Sequence, residues 1–446
     1  MSRLFWCACL FCALCLLPCD AQAELSGQAV YPGYRSLSYS LPSQHILLKL
    51  SVWYPARRKP RTVKEGDWSF RAARSAPVLH GPWPMLILSH DSAETSLSHH
   101  DLAAALAMRG FIVVAPLHDH DNADDMRLLF HDLQLVMRAM QLRSAVDFIL
   151  EHPQIGPEID RSRIGYVGFG TPASAGLLLA GAQLTPDGWA AFCSKDAGAA
   201  RGEGKGQAQK ASPGNAAAGE KADGKPGGAL ASRKPAPSPW CRDMLAYRME
   251  RLVSSMRERT QEMASKKSYA ANASADRARV FKRLSDFAER NHRRIMRQSG
   301  DALLPPPPVA LPLLPPLSGE ATLSDPRFRA LAFVSPGYSF LFEKASLAAI
   351  RRPALFIGLE KDSLNIPLEQ ASRFADMMEG DVRYALLHGA DTRAVSAPCP
   401  PNSPLFPLES ICGGNSQTRT RVHHALLDLL GDFFMQALPS PAPRTE

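Results

Sequence analysis

The chain has 446 residues, of which 45% are hydrophobic. This composition excludes a chain that is disordered over its whole length, and the length is sufficient for one large domain or two ordinary ones. Its formal net charge of +8 is unevenly placed: residues 195–300 carry 23 Lys and Arg against 11 Asp and Glu, and the remainder carries 28 against 32. The basic character therefore belongs to one segment and says little about the rest of the protein.

The first 23 residues differ in composition from the rest of the chain. Arg3 precedes the apolar run "LFWCACLFCALCLL", and "AQA" stands directly before Glu24. A charged start, a short apolar stretch and a small-x-small site predict a signal peptide over residues 1–23, and hence an exported protein, periplasmic or secreted. The alternative is a retained membrane anchor, for which the apolar run is short. No later segment is long and apolar enough to cross a membrane, so we do not expect an integral membrane protein.

Removal of the signal peptide leaves four cysteines, Cys193, Cys241, Cys399 and Cys412. An even number in an exported protein suggests two disulfides. Cys399 and Cys412 bracket a loop rich in Pro, Gly and Ser and are predicted to pair. Cys193 and Cys241 would then close the base of an insertion. The alternative is four buried free thiols.

Short apolar runs alternate with helical patterns over residues 24–193 and again over 326–438. The predicted strands are 46–55, 85–90, 111–116, 163–170, 330–335, 354–362 and 382–388, and the predicted helices are 98–109, 132–151, 172–182, 367–379 and 418–436. This alternation predicts an α/β fold with a mostly parallel sheet covered by helices on both faces. The run at 46–55 is interpreted as the first core strand, followed by a loop that contains Pro and Arg.

Residues 194–325 interrupt that pattern as an insertion. Residues 195–239 consist of small and polar residues and are predicted to be disordered, whereas 240–300 predict one or two charged helices. The stretch "LPPPPVALPLLPP", 304–316, predicts an extended polyproline-type chain. The basic insertion is either a solvated arm or a contact with an acidic surface such as phospholipid headgroups, and export argues against nucleic acid as a partner. Residues 439–446 are predicted to be a flexible tail.

Six stretches resemble one family when they are taken together and in order. They are "SVWYPA" (51–56), "PMLILSHDSA" (84–93), "LAMRGFIVVAPLHDHDN" (106–122), "IDRSRIGYVGFGT" (159–171), "RPALFIGLEKDSLNIP" (352–367) and "HGADTRAVSAPC" (388–399). The chain resembles bacterial α/β-hydrolases of the predicted dienelactone hydrolase group, which are related to platelet-activating-factor acetylhydrolase. The resemblance implies an α/β-hydrolase fold over about 24–193 and 326–436, with the insertion outside it.

The resemblance also implies a Ser–His–Asp triad, whose serine lies in a Gly-x-Ser-x-Gly turn after a central strand. Gly170 stands at the serine position here, and Pro172 replaces the second glycine of the motif. Asp362 in "GLEKD" matches the acid, and Thr392 stands where the family has its histidine. The nucleophile and the base are therefore lost and the acid position is kept. Asp362 could equally be a loop or helix-capping carboxylate.

The same resemblance places oxyanion-type donors at Thr171 and in the loop that contains Asp91 and Ser92. A relocated catalytic system remains an alternative. It would use a nearby hydroxyl, with His388 as a substitute base and the carboxylate at the acid position.

A second alternative rests on histidines that follow two predicted strands. His90, His118 and His120 alternate with aspartates in "SHD" and "HDHD", and strand ends in such sheets converge on one pocket. Imidazoles and carboxylates are suitable zinc ligands, and a metal-held water could replace a serine. The simpler interpretation is that these side chains only form hydrogen bonds. We prefer that interpretation, so the sequence predicts no metal and no cofactor.

The sequence thus favours an exported α/β-hydrolase-fold protein whose ester-hydrolase machinery has degenerated. Its role would be to bind a small acyl or lipid-like ligand or to act as a scaffold. The rival hypotheses are an active serine- or threonine-type ester hydrolase and a metal-dependent hydrolase.

Overall fold

The computed structural model describes residues 29–41, 46–92, 94–123, 128, 134–185, 323–362, 364–398, 400 and 415–440. The strands are β1 Tyr31–Leu41, β2 Ile46–Ala56, β3 Arg61–Glu65, β4 Trp68–Arg74, β5 Trp83–Ser89, β6 Ile112–Leu117, β7 Ile159–Phe169, β8 Phe328–Val334, β9 Ala354–Leu359 and β10 Val382–Leu387. They form one sheet in the order β10-β9-β8-β7-β5-β6-β2-β1-β4-β3.

The described residues also form seven α-helices. These are α1 His100–Met108, α2 Gln134–Glu151, α3 Ala175–Leu179, α4 Lys344–Ala348, α5 Ala371–Met377, α6 Thr392–Val395 and α7 Ser416–Ala437. Short 3₁₀ turns occur at Gly156–Glu158, Thr171–Ser174 and Ser339–Leu341. Helices therefore alternate with strands along most of the described chain.

The sheet is mixed rather than fully parallel. Strands β5 to β10 run parallel to one another, and β2 joins them antiparallel to β6. The central strands are buried along nearly their whole length, as in "MLILS" of β5 and "ALFIGL" of β9. Continuous apolar runs of this kind require cover on both faces of a sheet. The α/β sheet predicted from the sequence is present, with an antiparallel extension on one side.

Two hydrophobic cores lie on opposite faces of this sheet. Residues of α2 and α3, such as Leu142 and Leu177, contribute to one core. Residues of α1 and α7, such as Leu106 and Leu426, contribute to the other. Because both faces are packed, the loops at the carboxyl ends of the parallel strands remain as the place for a site.

The prediction that 46–55 is the first core strand is wrong, because β1 precedes it and pairs with it antiparallel. β1 has the sequence "YPGYRSLSYSL", whose Ser residues and alternating exposure give no apolar run to read. The loop predicted after β2 is instead the hairpin β3–β4. The helix predicted over 172–182 is a 3₁₀ turn followed by the short α3.

Several predictions lie outside the described residues. They are the signal peptide, the four mature cysteines, the tail beyond residue 440, and the insertion apart from its last three residues. Among the helices that the structure describes, none combines the length and the apolar composition that crossing a bilayer requires.

Candidate functional site

The turn after β7 has the strand–turn–helix form that the resemblance implies. Gly170 follows the last residue of β7 with φ 69° and ψ −166°, a conformation that is essentially restricted to glycine. Its N–H donates to the Val334 oxygen on the neighbouring strand at 2.9 Å, and its oxygen accepts from the Ala173 N–H at 3.0 Å. Pro172 lies in the first turn of the following 3₁₀ segment, where a missing N–H costs nothing.

The glycine before this turn permits the helix to approach the strand. A Cβ added at Gly168 would lie 2.9 Å from the Cα of Ala173. The Tyr166 hydroxyl then donates to the Ala173 oxygen at 2.8 Å and holds the helix start against β7. These contacts support the turn, although Gly170 itself has no side chain.

The space above Gly170 is filled by a carboxylate from the neighbouring strand end. A Cβ added at Gly170 would overlap the carboxyl group of Asp91, whose Cγ and two oxygens are its nearest atoms. Asp91 lies just beyond the end of β5, which pairs with β7. A serine side chain at position 170 would require the Asp91 carboxylate to move from its observed position.

The candidate oxyanion donors near Asp91 are engaged by carboxylates of their own loop. The Asp91 N–H donates to Glu94 Oε2 at 3.0 Å, and the Ser92 N–H donates to Asp91 Oδ1 at 2.7 Å. The Thr171 hydroxyl donates to Asn365 Oδ1 at 3.2 Å. These bonds organise the strand ends and hold the candidate groups in fixed positions.

Asp362, at the acid position, acts as an organiser of its own loop. Its Oδ1 accepts from the N–H groups of Leu364 at 2.8 Å and Asn365 at 3.0 Å, and its Oδ2 accepts from the Ser335 hydroxyl. The Asn365 amide in turn donates to the Ser335 oxygen at 2.9 Å. Among the described residues, no imidazole is hydrogen-bonded to this carboxylate.

The residues considered as bases form no hydrogen bond with Asp362 among the bonds of the described residues. Thr392 begins the short helix α6, which Asp391 caps by accepting from the Ala394 N–H at 3.0 Å. His388 has a side chain 74% exposed, and its Nδ1 lies 3.2 Å from Glu360 Oε1. The structure therefore does not join His388 to the buried Asp362 by a hydrogen bond.

A charged pair of residues that the sequence did not reveal lies beside the turn. His99 donates from Nδ1 to the Val395 oxygen at 3.0 Å and from Nε2 to Glu94 Oε2 at 3.1 Å. Because both acceptors lack a hydrogen, both ring nitrogens carry protons and the ring is an imidazolium. The ring stacks on Phe169 with 3.7 Å between centroids. We call Glu94 and His99 the charged pair.

The two pKa values agree with this geometry. Burial alone lowers the pKa of His99, but the Glu94 carboxylate outweighs it and the pKa is raised. Burial raises the pKa of Glu94, but the charge and hydrogen bond of His99 outweigh that effect and hold the pKa at about 2. Each group stabilises the charged form of the other.

The charged pair anchors the loop that contains Thr392. The Ser396 hydroxyl donates to Glu94 Oε1, and the Ala397 N–H donates to the Ser98 oxygen at 2.7 Å. Ser396 is 302 residues from Glu94 along the chain, so no local pattern could have indicated the contact. The loop in which the resemblance places a histidine is thus held by the hydrogen bonds of Ser396 and Ala397.

A second buried network contains histidines of the opposite character. His90 donates from Nδ1 to the Asp91 oxygen at 2.7 Å, and its Nε2 accepts from the His118 N–H at 3.2 Å. One nitrogen is a donor and the other an acceptor, so the ring is neutral. Burial, followed by the charge of Arg138, lowers the pKa of His90 to about 3.

Arg138 is the cation of this network. Its Nε lies 2.6 Å from Asp121 Oδ2, and its Nη1 donates to the Ser89 hydroxyl at 3.1 Å and to the His90 oxygen. His118 lies between Ser89 Oγ at 2.8 Å and Gln141 Oε1 at 3.0 Å, and burial and Arg138 hold its pKa well below the usual range. We call Ser89, His90, His118, Asp121, Arg138 and Gln141 the neutral-histidine network.

The metal alternative finds no suitable donor set in the part of the chain that the structure describes. The ring nitrogens of His90 and His118 all have protein partners, and His120 Nε2 lies 3.4 Å from Asp119 Oδ2. No three His, Cys, Asp or Glu side chains among the described residues are placed to hold one ion. His118 and Asp121 of the "HDHD" pattern take part in hydrogen bonds of the neutral-histidine network.

No protein-family model matches this chain, and no curated protein matches it. Among solved structures, it is similar to a dienelactone hydrolase from Anabaena variabilis at 11% identity and a TM-score of 0.41, covering 92% of this chain and 100% of that one. It is also similar to a ferulic acid esterase from Streptomyces cinnamoneus at 14% identity and a TM-score of 0.47, covering 95% and 96%.

The strand order and the turn at Gly170 support an α/β-hydrolase fold. The antiparallel β1 and β2, the crossover that places β6 beyond β5, and the sequential β7 to β10 form one sheet. The strand–turn–helix lies at the carboxyl end of the central β7, the position that a nucleophile takes in this fold.

Proposed function

We propose that this chain is an α/β-hydrolase-fold protein without acyl-transfer activity that serves to bind a ligand or to act as a scaffold. The observation that carries the proposal is the Asp91 carboxyl group, which fills the space that a side chain at position 170 would need. A carboxylate fixed there by the Ser92 N–H stands in place of a nucleophile, and the resemblance places neither a serine nor a histidine in the triad positions. Acyl transfer without an activated nucleophile has no first step.

Backbone strain at the same sheet edge supports a binding role. His120, Ser335 and Tyr338 have positive φ angles of 64°, 54° and 66°, and they follow β6 and β8 on the two sides of β5 and β7. Such conformations cost about 1–3 kcal/mol each and cluster where proteins bind ligands. A small acyl or lipid-like molecule is the ligand class that fits the resemblance.

A buried acceptor at this edge points in the same direction. Asp121 Oδ1 is buried, and no donor among the described residues reaches it. Gln134, which donates to the other oxygen of Asp121 at 2.8 Å, also accepts from the Tyr338 hydroxyl at 3.1 Å. A ligand hydroxyl or water that donates to Oδ1 would complete this set of hydrogen bonds.

Export and a contact arm complete the proposal. The first 23 residues would direct the protein to the periplasm or outside the cell, and the basic insertion would contact an acidic surface. Sequencing of the mature N-terminus after secretion tests the first point, since cleavage should follow Ala23.

Fluorophosphonate labelling and a panel of short and long acyl esters test the loss of catalysis. The full-length protein should acquire no label and should hydrolyse esters no faster than buffer does. Stoichiometric labelling of a Ser or Thr, lost when that residue is replaced, would overturn the proposal.

A pair of variants tests the role of Asp91. Gly170→Ser with Thr392→His should stay unlabelled because the carboxylate obstructs the new side chain, whereas the same double change combined with Asp91→Gly should be labelled at position 170. The Thr392→His variant with Gly170 intact is the matched control and should not react. Equal labelling of the double and the triple variant would show that Asp91 does not obstruct position 170.

A further inference from the structure

A shallow groove with a volume of about 430 Å³ runs along the C-terminal half of α2, away from the turn at Gly170. Its floor is aromatic: the rings of Tyr39 and Phe148 stack with 4.3 Å between centroids and 5° between planes. His152 lies edge-on to Phe148 at 6.1 Å, and Pro153 follows it. A stacked aromatic pair thus forms the apolar part of the groove.

The groove continues past the end of the helix. A second depression of about 330 Å³ shares Glu151, His152 and Pro153 with the first and extends to Pro157 and Ile159. The first depression is mostly apolar, and the second, which includes Glu151 and Arg161, is more polar. A continuous surface groove of this kind has room for an extended segment.

We propose that the chain's own proline-rich segment, residues 304–316, docks in this groove. The segment contains seven prolines and no charged residue. Such segments favour the polyproline conformation before they bind, so they lose little entropy on docking, and aromatic-lined grooves are the surfaces that recognise them. The stacked pair of Tyr39 and Phe148 offers an apolar aromatic contact for proline rings.

The described residues that follow this segment in the chain lie next to the groove. The described chain resumes at Leu323, which packs against the core, and the Asp325 N–H donates to the Leu179 oxygen at 2.8 Å. Arg327 pairs with Asp147, a residue of the groove wall. Pro316 is eleven residues from Arg327, a length of chain that spans at most about 40 Å.

Tethering at this distance replaces a bimolecular association by an intramolecular one, with effective concentrations of the order of millimolar. Weak stacking contacts are then sufficient to keep the groove occupied. For this reason the segment of the same chain is the occupant we infer, ahead of a second copy or another protein.

Photo-crosslinking in the full-length protein tests this docking. Leu311, between the two proline runs, is replaced by p-benzoyl-phenylalanine, and cross-links are mapped by mass spectrometry after irradiation. We expect them at residue 39 and within 144–153. Phe148→Ser should lower their yield about fivefold, the effect of losing about 1 kcal/mol of stacking. Tyr384→Ser, which removes an exposed aromatic on β10, is the matched control and should leave the yield unchanged.

A second variant guards against an effect of Phe148 on folding. Replacement of Pro305 to Pro308 by serine leaves the described core untouched and should also lower the yield, because the segment is no longer preorganised. Mixing ¹⁴N- and ¹⁵N-labelled protein distinguishes links within one chain from links between two. Links outside the groove, links between copies, or a yield unchanged by both variants would overturn the inference.

Discussion

His99 and His90 are both buried near the turn at Gly170, yet they hold opposite protonation states. His99 faces two oxygens that can only accept, so it keeps both protons, whereas His90 faces one acceptor and one N–H donor and keeps a single proton. Each ring lies beside a charge that favours its protonation state. The negative Glu94 lies beside the charged His99, and the positive Arg138 lies beside the neutral His90. Because both rings are buried, the difference between their charges comes from the groups around them.

The two regions also differ in how their ions can respond when a partner is removed. The charged pair contains a histidine, which can release its proton near neutral pH. The neutral-histidine network contains Arg138, which cannot, and Asp121, which is fully buried. Removal of one partner should therefore cost more in the network than in the charged pair.

Arg138→Met should cause the largest loss of stability. The substitution leaves the Asp121 carboxylate buried without its cation, and protonating an ordinary carboxyl at pH 7 costs about 4 kcal/mol. Breaking a buried pair from one side typically costs 3–5 kcal/mol, so we expect the free energy of unfolding to fall by about 4 kcal/mol. Urea denaturation at pH 7 measures this change.

The matched control is Arg351→Met, which removes an arginine whose pair with Glu379 is mostly exposed. Exposed pairs of this kind contribute at most about 1 kcal/mol. Equal losses in the two variants would mean that the Arg138–Asp121 pair is not the buried unit that the structure describes.

Glu94→Gln should have a smaller effect on the free energy of unfolding, about 2.5 kcal/mol, from the loss of charge-assisted hydrogen bonds to His99 and Ser396. His99 can release its proton at pH 7 at little cost, because the ordinary pKa of histidine is 6.5. The buried imidazolium thus avoids the penalty that an arginine would incur.

The protonation state of His99 provides the sharper readout for this variant. NMR titration should show the pKa of His99 above 6.5 in the wild type and lower than that wild-type pKa in Glu94→Gln, where burial is opposed only by the hydrogen bond to Val395 and the charge of Asp101. Glu360→Gln, next to the exposed His388, is the control and should leave His99 unchanged. An unaltered His99 titration in Glu94→Gln would contradict the assignment of the charged pair.

The sequence predicted the parallel strands well because their apolar runs are continuous and buried on both faces. It missed β1 and the β3–β4 hairpin, whose polar and alternating residues resemble a loop. Turn residues were readable because they lie in one stretch, as Gly168 and Gly170 do.

Contacts between distant strand ends were not readable. Nothing in the sequence shows that the Asp91 carboxylate lies over Gly170, or that Glu94 reaches Ser396. The histidines of "SHD" and "HDHD" were visible as metal candidates, but their charge depends on donors and acceptors supplied by other segments. Site geometry required the packed structure for this reason.

The pH dependence of stability gives the smallest predicted effect. In the folded protein the pKa of His90 is lowered to about 3. Its contribution to the free energy of unfolding is therefore present above pH 6.5 and is lost as the pH falls, because the unfolded chain then binds a proton that the folded chain does not bind. His99, with a raised pKa, contributes fully below pH 6.5, and Glu94, with a lowered pKa, contributes fully above about 4.5. The contribution of the charged pair to the free energy of unfolding is therefore nearly constant between pH 5 and 6.5.

Burial also lowers the pKa of His100 and of His152, so the share of His90 in the slope is isolated by comparing the wild type with His90→Gln. We expect His90 to account for about 1.5 kcal/mol of the loss between pH 6.5 and 5, and His118 to add to it. His90→Gln keeps an acceptor for the His118 N–H and should flatten the slope by that amount. A slope equal to that of the wild type in His90→Gln would show that His90 binds protons in the folded protein as it does in the unfolded chain. The contrast between the two buried histidines would then disappear.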